Sequence, residues 1–412
     1  MAEPELIKIA QPYKGRVSAL PLSDQPEGVV LDSLDVVPFD CKTRRKRLSV
    51  RPGFETFGSG PTAGLYTLGA AYDEPGGVQL MGCSSTNLYR FTSGAFSSVG
   101  TITTTSGRTI EAVCYGRRLF IACDAPYKVY NYDADDNGTP DHTIATWSAS
   151  PGTVPPGCTM IALHGPRIAL AGDPNDPNIV HFGRSDEPLD WDASEEDSGA
   201  AISIPFPATV TAIFPHTRNC FVVGFANGMS IVRGNPGATN AMVEQFEFEV
   251  GPINSTAWCK GDRGYTYIMT HNGLYRLAPG CGDPPEEVSR GLIPDSLIGL
   301  DGATTKAVLV YDEANRIVHI YTEGAITQHW LFDVDGGSFW KITAPGTTIL
   351  AAHRFGPADS ETASGALVAT AGGVMRLDSE TPLGGSSEAF ATLLVPLAAP
   401  GYKGLVRQVE EV

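Results

Sequence analysis

One segment indicates the architecture of the chain: Thr256-Ala-Trp-Cys-Lys-Gly-Asp-Arg-Gly-Tyr-Thr-Tyr-Ile-Met-Thr-His-Asn-Gly-Leu-Tyr-Arg-Leu-Ala-Pro279. Its pattern predicts three short strands joined by two tight turns, at Asp262-Arg263-Gly264 and His271-Asn272-Gly273. Asn-Gly supplies the positive φ angles that a two-residue hairpin turn of the primed type requires. A single meander of this kind buries too little apolar surface to be stable alone.

The last strand of this meander is one of seven similar strands along the chain. They are anchored at Tyr89, Tyr130, Val180, Ile231, Tyr275, Trp330 and Met375. The anchors are 41, 50, 51, 44, 55 and 45 residues apart, a spacing typical of four-stranded β-propeller blades. Each anchor strand follows a matching apolar strand, at 78–82, 118–123, 167–172, 220–225, 265–270, 317–321 and 366–370. The repeat predicts an all-β fold, a β-propeller of seven blades, and leaves open six or eight blades and one or two β-sandwiches.

Composition agrees with an all-β protein. The 412 residues include 46 Gly and 31 Pro, as expected for many turns, and helical periodicity is confined to a short turn near 294–298. The formal net charge is −17. Proteins that grip nucleic acid by neutralising phosphates need a surplus of Lys and Arg on the binding face, so the charge argues against that class.

The sequence also bears on the compartment. The eight cysteines form no Cys-x-x-Cys pair, which argues against a zinc knuckle or redox motif, and we expect them to be reduced. The N-terminus has no basic region followed by an apolar run, so we expect no signal peptide. No run of 18 apolar residues is present, and we expect no membrane insertion. The chain is predicted to be made in a cytoplasm.

The repeats suggest three parts. Residues 1–60 are predicted to form N-terminal strands and a basic hairpin, residues 61–389 the β-propeller repeats, and residues 390–412 a closing strand and a C-terminal tail. Phe390–Leu397 is predicted to supply the missing outer strand of a blade and to seal the ring against the N-terminal segment. Closure of this kind removes sheet edges that would otherwise aggregate.

A basic run stands out in the N-terminal part. Five of the six residues from 42 to 47 are basic: Lys42, Arg44, Arg45, Lys46 and Arg47. Two strands around a charged loop is one interpretation, in which the run is a solvated hairpin tip. The other is a subunit contact with an acidic face of a neighbouring copy, where opposite charge would fix register and speed assembly.

One acidic loop has the spacing of a calcium-binding loop. Asp133, Asp135, Asn137 and Asp141 occupy positions 1, 3, 5 and 9, and Gly138 occupies position 6, where glycine allows a sharp bend. Position 12 is Ile144 rather than the usual bidentate Glu. The loop is therefore interpreted either as a calcium site or as an acidic hairpin loop, and no other cofactor is predicted.

No catalytic motif is present. The eight histidines show neither His-x-x-x-His nor His-Glu-x-x-His spacing, and Gly-x-Ser-x-Gly and P-loop motifs are lacking. Asp190 and Asp192 are only two residues apart, whereas glycosidase carboxylates flank the substrate from separate elements. The aromatics Trp330 and Trp340 fit the blade core better than a sugar site. We therefore expect no enzymatic activity.

Several segments resemble a family of bacteriophage short-tail virion proteins, the tail nozzle or tail-tubular proteins, in which a β-propeller forms part of the tail. The resembling segments are Val36-Val-Pro-Phe-Asp40, Arg51-Pro-Gly-Phe54, Phe182-Gly-Arg-Ser-Asp-Glu-Pro-Leu-Asp-Trp-Asp192, Asp197-Ser-Gly-Ala-Ala201, Val222-Val-Gly-Phe-Ala-Asn-Gly-Met-Ser-Ile-Val-Arg-Gly-Asn-Pro236, Asn272-Gly-Leu-Tyr-Arg-Leu-Ala-Pro-Gly280 and Ser338-Phe-Trp-Lys-Ile342. They extend over most of residues 30–345.

The resemblance implies a structural role in the virion. It implies a homohexameric ring around the DNA exit channel that serves as a docking platform for adaptor, fibre or needle proteins of the tail. DNA would pass without specific binding, because an acidic lumen offers phosphates no counter-charge. The alternatives are a receptor-binding or fibre-docking propeller that recognises host polysaccharide, and a propeller enzyme such as a glycosidase or lyase.

Overall fold

The structure is a computed structural model that describes residues 14–16, 29–39, 46–61, 64–73, 77–102, 110–123, 126–133, 140–238, 242–245, 250–280, 282–289, 292, 294–344, 346, 348–355, 365–382, 390–396 and 403–408. It contains seven four-stranded antiparallel sheets that are arranged as the blades of a β-propeller. The described helical structure is limited to two 3₁₀ turns, Asp262–Gly264 and Asp295–Leu297. No helix in these ranges is long and apolar enough to span a membrane.

Four strands precede the first complete blade: β1 (Val30–Leu34), β2 (Val36–Phe39), β3 (Lys46–Val50) and β4 (Pro52–Thr56). Blade 1 contains β5 (Thr67–Asp73), β6 (Gly77–Cys83), β7 (Asn87–Thr92) and β8 (Ala95–Thr101). Blade 2 contains β9 (Glu111–Tyr115), β10 (Arg118–Ala122), β11 (Lys128–Asn131) and β12 (Thr143–Thr146). Blade 3 contains β13 (Met160–His164), β14 (Arg167–Ala171), β15 (Ile179–Phe182) and β16 (Ile202–Pro205).

Blade 4 contains β17 (Val210–Thr217), β18 (Cys220–Phe225), β19 (Gly228–Arg233) and β20 (Met242–Gln245). Blade 5 contains β21 (Trp258–Lys260), β22 (Thr266–Thr270), β23 (Gly273–Leu277) and β24 (Glu286–Glu287). Blade 6 contains β25 (Thr305–Asp312), β26 (Ile317–Gly324), β27 (Gln328–Asp333) and β28 (Ser338–Ile342). Blade 7 contains β29 (Ile349–Phe355), β30 (Gly365–Thr370) and β31 (Gly373–Pro382), and β32 (Phe390–Pro396) and β33 (Lys403–Gln408) follow it.

The repeat found in the sequence corresponds to the blades. Every predicted anchor lies in the third strand of a blade, and every matching apolar segment overlaps the second strand. The predicted all-β fold and the seven blades are therefore confirmed. The local pattern was informative because the second and third strands of a blade form a buried hairpin. The apolar residues of the strands and the residues of the turn between them therefore lie close together in the sequence.

One turn differs from its prediction. Thr270 pairs with Gly273, so the two turn residues are His271 and Asn272, and neither has a positive φ. Gly273 carries the positive φ, at 140°. The Thr270 hydroxyl accepts the Asn272 N–H and donates to the Gly273 carbonyl, at 3.1 and 3.0 Å. A side-chain hydroxyl, rather than an Asn-Gly turn of the primed type, fixes this turn.

Seven apolar clusters fill the seven interfaces between neighbouring blades. Between blades 5 and 6, for example, the rings of Tyr267 and Phe332 have centroids 6.4 Å apart. Trp330 and Trp340 have relative exposures of 1% and 0%, as their assignment to the blade core requires. Burying one large apolar side chain contributes about 1.5–3 kcal/mol, so these interfaces hold the ring together.

The N-terminal segment closes the ring. β4 forms the outermost strand of blade 7 and pairs antiparallel with β31, with Phe54 opposite Leu377 and Thr56 opposite Met375. The prediction that Phe390–Leu397 fills this position is wrong. β32 instead pairs with β1 and β33 in a separate three-stranded sheet. The predicted closure of the ring is correct in kind, but a strand from the other end of the chain provides it.

A buried ion pair holds the closing strand in place. Arg51, directly before β4, places its Nε 2.5 Å from Oδ1 of Asp35, and their side chains are 3% and 0% exposed. Asp35 also accepts hydrogen bonds from the N–H and the hydroxyl of Thr343, at 2.8 and 2.6 Å. Arg51 donates to the carbonyl groups of Pro52 and Thr343. Because Thr343 directly follows β28, the pair fastens the N-terminal segment to blade 6.

The cysteines are only partly as expected. Cys83, Cys114, Cys123, Cys158 and Cys259 are free thiols. Burial raises the pKa of the Cys83 and Cys259 thiols well above the ordinary value, as expected of small apolar core residues. Cys220 is disulfide-bonded, so the expectation of reduced thiols is wrong for this residue.

We predict that Arg51→Met lowers the free energy of unfolding by about 3–5 kcal/mol, because it leaves the buried Asp35 carboxylate without its counter-ion. Denaturant unfolding followed by circular dichroism measures the change. Glu286→Ala is the matched control, since it removes an ion pair with Arg276 in which the Glu286 side chain is 62% exposed. That control should cost less than about 1 kcal/mol. Equal losses in the two variants would contradict a locking role for Arg51.

Candidate functional site

The predicted metal loop is described only in part. Asp133 and Asp141 lie between β11 and β12, and the Asp141 N–H donates to the Tyr132 carbonyl at 2.8 Å. Asp135 and Asn137 lie outside the described residues. Within the described ranges, no group of three or more His, Cys, Asp or Glu residues could hold a metal ion. Calcium binding by the complete loop stays a prediction.

The end of the basic run, Lys46 and Arg47, lies in a β-hairpin. β2 pairs antiparallel with β3, with Val36 opposite Val50 and Phe39 opposite Lys46, so the predicted pair of strands around a charged loop is confirmed. Lys46 and Arg47 begin β3, whereas Lys42, Arg44 and Arg45 lie outside the described residues. β2 contacts β28, which places the hairpin beside blade 6. Its role as a subunit contact stays a prediction.

The first strands of the blades surround a central cavity of about 530 Å³. We call the face at which each first strand begins the upper face and the opposite side the lower face. All seven blades contribute to the wall of the cavity. Near the lower face it is lined by Lys260, His353 and Arg354, and near the upper face by Glu111, the one acidic residue among the described lining residues.

Polar side chains near the start of five first strands bind the backbone of the following blade. We call these five side chains the mouth ring: Thr67, Glu111, Thr211, Thr256 and Lys306. The hydroxyls of Thr211 and Thr256 donate to Pro252 and Ala307 at 2.8 and 2.6 Å, Lys306 Nζ donates to the Leu350 carbonyl at 2.6 Å, and the Thr67 hydroxyl donates to Ile110. The mouth ring therefore satisfies backbone groups that innermost strands leave unpaired.

Glu111 is the titratable member of the mouth ring in the cavity wall. Its Oε2 accepts the N–H of Ile161 in blade 3 at 3.1 Å, while its buried Oε1 accepts no hydrogen bond of normal geometry among the described residues. Burial raises the pKa of Glu111 to about 7, although the Ser255 hydroxyl, the Ile161 N–H and the Lys306 charge partly oppose the rise. This carboxyl group can exchange a proton near neutral pH.

The titratable side chains at the lower end of the cavity are nitrogen bases, in contrast to the Glu111 carboxyl group near the upper face. Burial lowers the pKa of His353 to about 4 and lowers the pKa of Lys260 below its ordinary value. Arg354 forms an ion pair with Glu313. A neutral imidazole and a partly desolvated amine thus lie at the end of the cavity opposite the Glu111 carboxyl group.

The 183–201 loop, which carries two of the resembling segments, is held by a buried arginine. Arg167 is 1% exposed and donates to the carbonyl groups of Gly183 and Ala200 at 2.7 Å and of Ser198 at 2.8 Å. Its Nε donates to Asn235 in the next blade at 2.8 Å. The guanidinium therefore joins the 183–201 loop of blade 3 to blade 4, and the motif has a structural part in this loop.

The acidic residues of that loop are engaged within it. Arg184 forms ion pairs with Asp190 and Asp197, at 3.6 and 2.7 Å. Oδ1 of Asp190 accepts the N–H of Asp192 at 2.9 Å, so the first carboxylate stabilises the backbone that carries the second. This arrangement agrees with excluding Asp190 and Asp192 as a glycosidase pair, because they belong to one turn.

Sequence analysis missed the mouth ring and Glu111. The repeat was recognised on second and third strands, so equivalent positions on the first strands were not aligned. Threonine near the start of a strand is ordinary, and Glu111 follows a short polar segment that gives no motif. Only the ring arrangement brings these side chains to the backbone of the next blade.

Comparisons with known proteins show the fold and nothing finer. No family model and no curated protein matches the sequence. The extracellular domain of a protein described as a hybrid two-component system, from B. thetaiotaomicron, superposes with a TM-score of 0.52 at 15% identity, over 82% of this chain and 40% of that chain. The extracellular domain of one described as a one-component system, also from B. thetaiotaomicron, gives 0.51 at 17% identity, over 79% and 40%.

A streptogramin B lyase gives a TM-score of 0.49 at 11% identity, over 80% of this chain and 98% of that chain, which carries no argument about activity. The chain thus spans about 40% of the length of the two bacterial extracellular domains. At these identities the likenesses establish a β-propeller, and any activity or partner is a separate question.

We predict that Glu111 makes the protein less stable as the pH rises. Its folded pKa of about 7 lies above the ordinary value of 4.5, so its contribution to stability is full below pH 4.5 and is lost as the pH rises through 7. Glu111→Gln should remove this slope and be more stable than the wild type at pH 8 by roughly 1–3 kcal/mol. Urea unfolding at several pH values, with the exposed Glu286→Gln as control, measures it. A pH-independent difference between wild type and Glu111→Gln would contradict the assignment.

Proposed function

We propose that the protein is a structural component of a bacteriophage tail, a nozzle-like propeller that assembles into a ring around the DNA exit channel. The observation that carries the proposal is the position of the segments that resemble nozzle proteins. Arg51-Pro-Gly-Phe54 contains the locking arginine and the first three residues of the closing strand, and the 183–201 loop is held by Arg167. These segments build and brace the ring, as expected if the family resemblance is an architectural one.

The proposal also implies that the protein is not an enzyme. Asp190, Asp192 and Asp197 of the 183–201 loop are engaged by Arg184 or by backbone N–H groups. Groups committed to internal bonds are poor candidates for chemistry on a substrate. The structure therefore supports a scaffold better than an enzyme.

The size of the central cavity constrains the path of DNA. A cavity of about 530 Å³ has the size of a small-molecule site rather than of a channel for a DNA duplex. In the proposed assembly the duplex would therefore pass between several subunits arranged in a ring, as the resemblance to hexameric nozzles implies. The net charge of −17 suits such a lumen, because phosphates would find little to bind.

A second candidate is a receptor-binding or fibre-docking propeller that recognises host polysaccharide. One observation favours it, a second cavity of about 830 Å³ on the upper face of blades 4 to 6. This candidate is compatible with a place in the tail, since a tail ring also presents a face to the host or to other tail proteins.

Assembly tests the main proposal. We expect the purified chain, mixed with the neighbouring tail proteins, to form a ring of six copies that is visible by negative-stain electron microscopy and measurable by light scattering. Association should be heterologous, with one surface of each copy meeting a different surface of the next. A chain that stays monomeric under every assembly condition would contradict the proposal.

The basic run provides a variant for the same experiment. Replacing Lys42, Arg44, Arg45, Lys46 and Arg47 with Ser is expected to prevent ring formation while leaving the melting temperature within a few degrees of wild type, because a hairpin tip contributes little to the core. Arg263→Ser is the control, since its side chain is 76% exposed on a different blade. If the five-residue variant formed normal rings, the basic run would not be part of the contact between subunits.

A further inference from the structure

On the upper face, blades 4, 5 and 6 enclose a cavity of about 830 Å³, which we call the face cavity. We propose that the face cavity binds a neutral oligosaccharide. This inference does not depend on the proposed tail function, because it rests on the chemistry of the cavity wall. Its volume lies within the range of about 300–1,000 Å³ that is usual for small-molecule sites.

Turns and blade connections form the wall. Because neighbouring strands are antiparallel, the connection into each blade and the turn between its second and third strands lie on the same face. The wall consists of the connections at 207–211, 253–254 and 300–303 together with 225–228 and His271 from the turns. The wall is closely packed at Gly302, where a Cβ would lie 1.9 Å from the Ile253 carbonyl oxygen.

Three polar side chains in this wall have unused hydrogen-bonding capacity: Asp301, Asn227 and His271. A fourth, Asn254, offers no free group to the cavity, because its Oδ1 accepts the Thr256 N–H at 3.2 Å and its Nδ2 is fully buried. Asp301 accepts the Ala303 N–H with one carboxylate oxygen, at 2.9 Å, and the other is uncommitted in the described part of the chain. The side chains of Asn227 and His271 make no hydrogen bond within the described ranges, although both line the cavity.

These groups suit a ligand that is rich in hydroxyls. Amide and imidazole groups donate and accept, a carboxylate accepts, and a sugar hydroxyl can do both. Phe225, Ile253 and Leu300 make most of the remaining wall apolar, which suits the C–H faces of sugar rings.

The charge and the geometry disfavour other ligands. Asp301 is the one acidic residue in the described wall, which contains no Lys or Arg, so an anionic glycan or a phosphate would meet no counter-charge. A partner strand would need a row of free backbone groups on a sheet edge, whereas turns and connections form this wall. A neutral oligosaccharide is therefore the class that the cavity fits best.

A glycan array of bacterial surface polysaccharides tests the proposal first, using the fluorescently labelled full-length chain. We expect binding to one or more neutral glycans, and saturation-transfer NMR with the corresponding free oligosaccharide then gives an affinity. Asn227→Ala and Asp301→Asn should each weaken binding about tenfold or more, because a site built to hydrogen-bond a hydroxyl loses at least one such bond. Asn227 lies in an exposed turn and Asp301 on an exposed connection, so melting temperatures should not change.

Asn272→Ala is the matched control, because Asn272 is exposed in the same turn as His271 but does not line the cavity. It should bind as tightly as the wild type.

Three outcomes overturn the proposal: no glycan bound on the array, equal affinity in wild type, Asn227→Ala and Asp301→Asn, or preference for anionic glycans. Displacement of a bound glycan by a purified neighbouring tail protein would show that both occupy the cavity. A tail protein that binds there while no glycan does would assign it to protein docking. Normal ring assembly by Asp301→Asn would show that this test and the test of the tail function are independent.

Discussion

Pairing of strands from opposite ends of the chain is the constraint on which the whole structure depends. A propeller blade needs an outermost strand, and blade 7 receives it from β4, more than 300 residues away in sequence from β31. Hydrogen bonds between two strands would be weak protection against opening by themselves. The Asp35–Arg51 ion pair, almost fully buried and bound to Thr343, adds a polar lock beside the closing strand. Forming a buried ion pair contributes little net stability, but removing one partner is costly because it leaves the other charge buried without a counter-ion. The pair therefore makes an open ring unstable.

A ring of separate sheets must also satisfy its inner edges. The first strand of every blade faces the axis, where no further strand can pair with it, and the apolar interfaces between blades do not satisfy backbone groups. The mouth ring solves this at five positions, because each side chain reaches the next blade and not its own. Glu111 is the member with a consequence for pH, since the cavity that it braces also desolvates its carboxyl group. Architecture and electrostatics are therefore linked at the axis.

Polar side chains that are hydrogen-bonded within the protein mark its structural parts, whereas polar side chains with unused hydrogen-bonding capacity mark a candidate binding site. In the 183–201 loop nearly every functional-looking group is engaged internally, by Arg167, by Arg184 or by backbone N–H groups. On the upper face, in contrast, Asn227, His271 and Asp301 retain hydrogen-bonding capacity around one cavity. A motif that is prominent in sequence thus has a structural role, while the cavity with the stronger case for a ligand is built from ordinary turn residues.

Sequence alone predicted the all-β class, favoured seven blades and located each second and third strand, because a hairpin expresses its hydrophobic pattern and its turn residues within about a dozen neighbouring positions. It also predicted the hairpin that β2 and β3 form. Tertiary structure decided the rest: which strand completes blade 7, why Glu111 titrates near neutrality and where the face cavity lies. Each of these joins residues that are distant in sequence, such as Asp35 with Thr343 or Asn227 with Asp301, and local patterns carry no record of such proximity. Any apolar strand could have filled the outer position of blade 7, so only packing of the whole chain could choose Pro52–Thr56 over Phe390–Pro396.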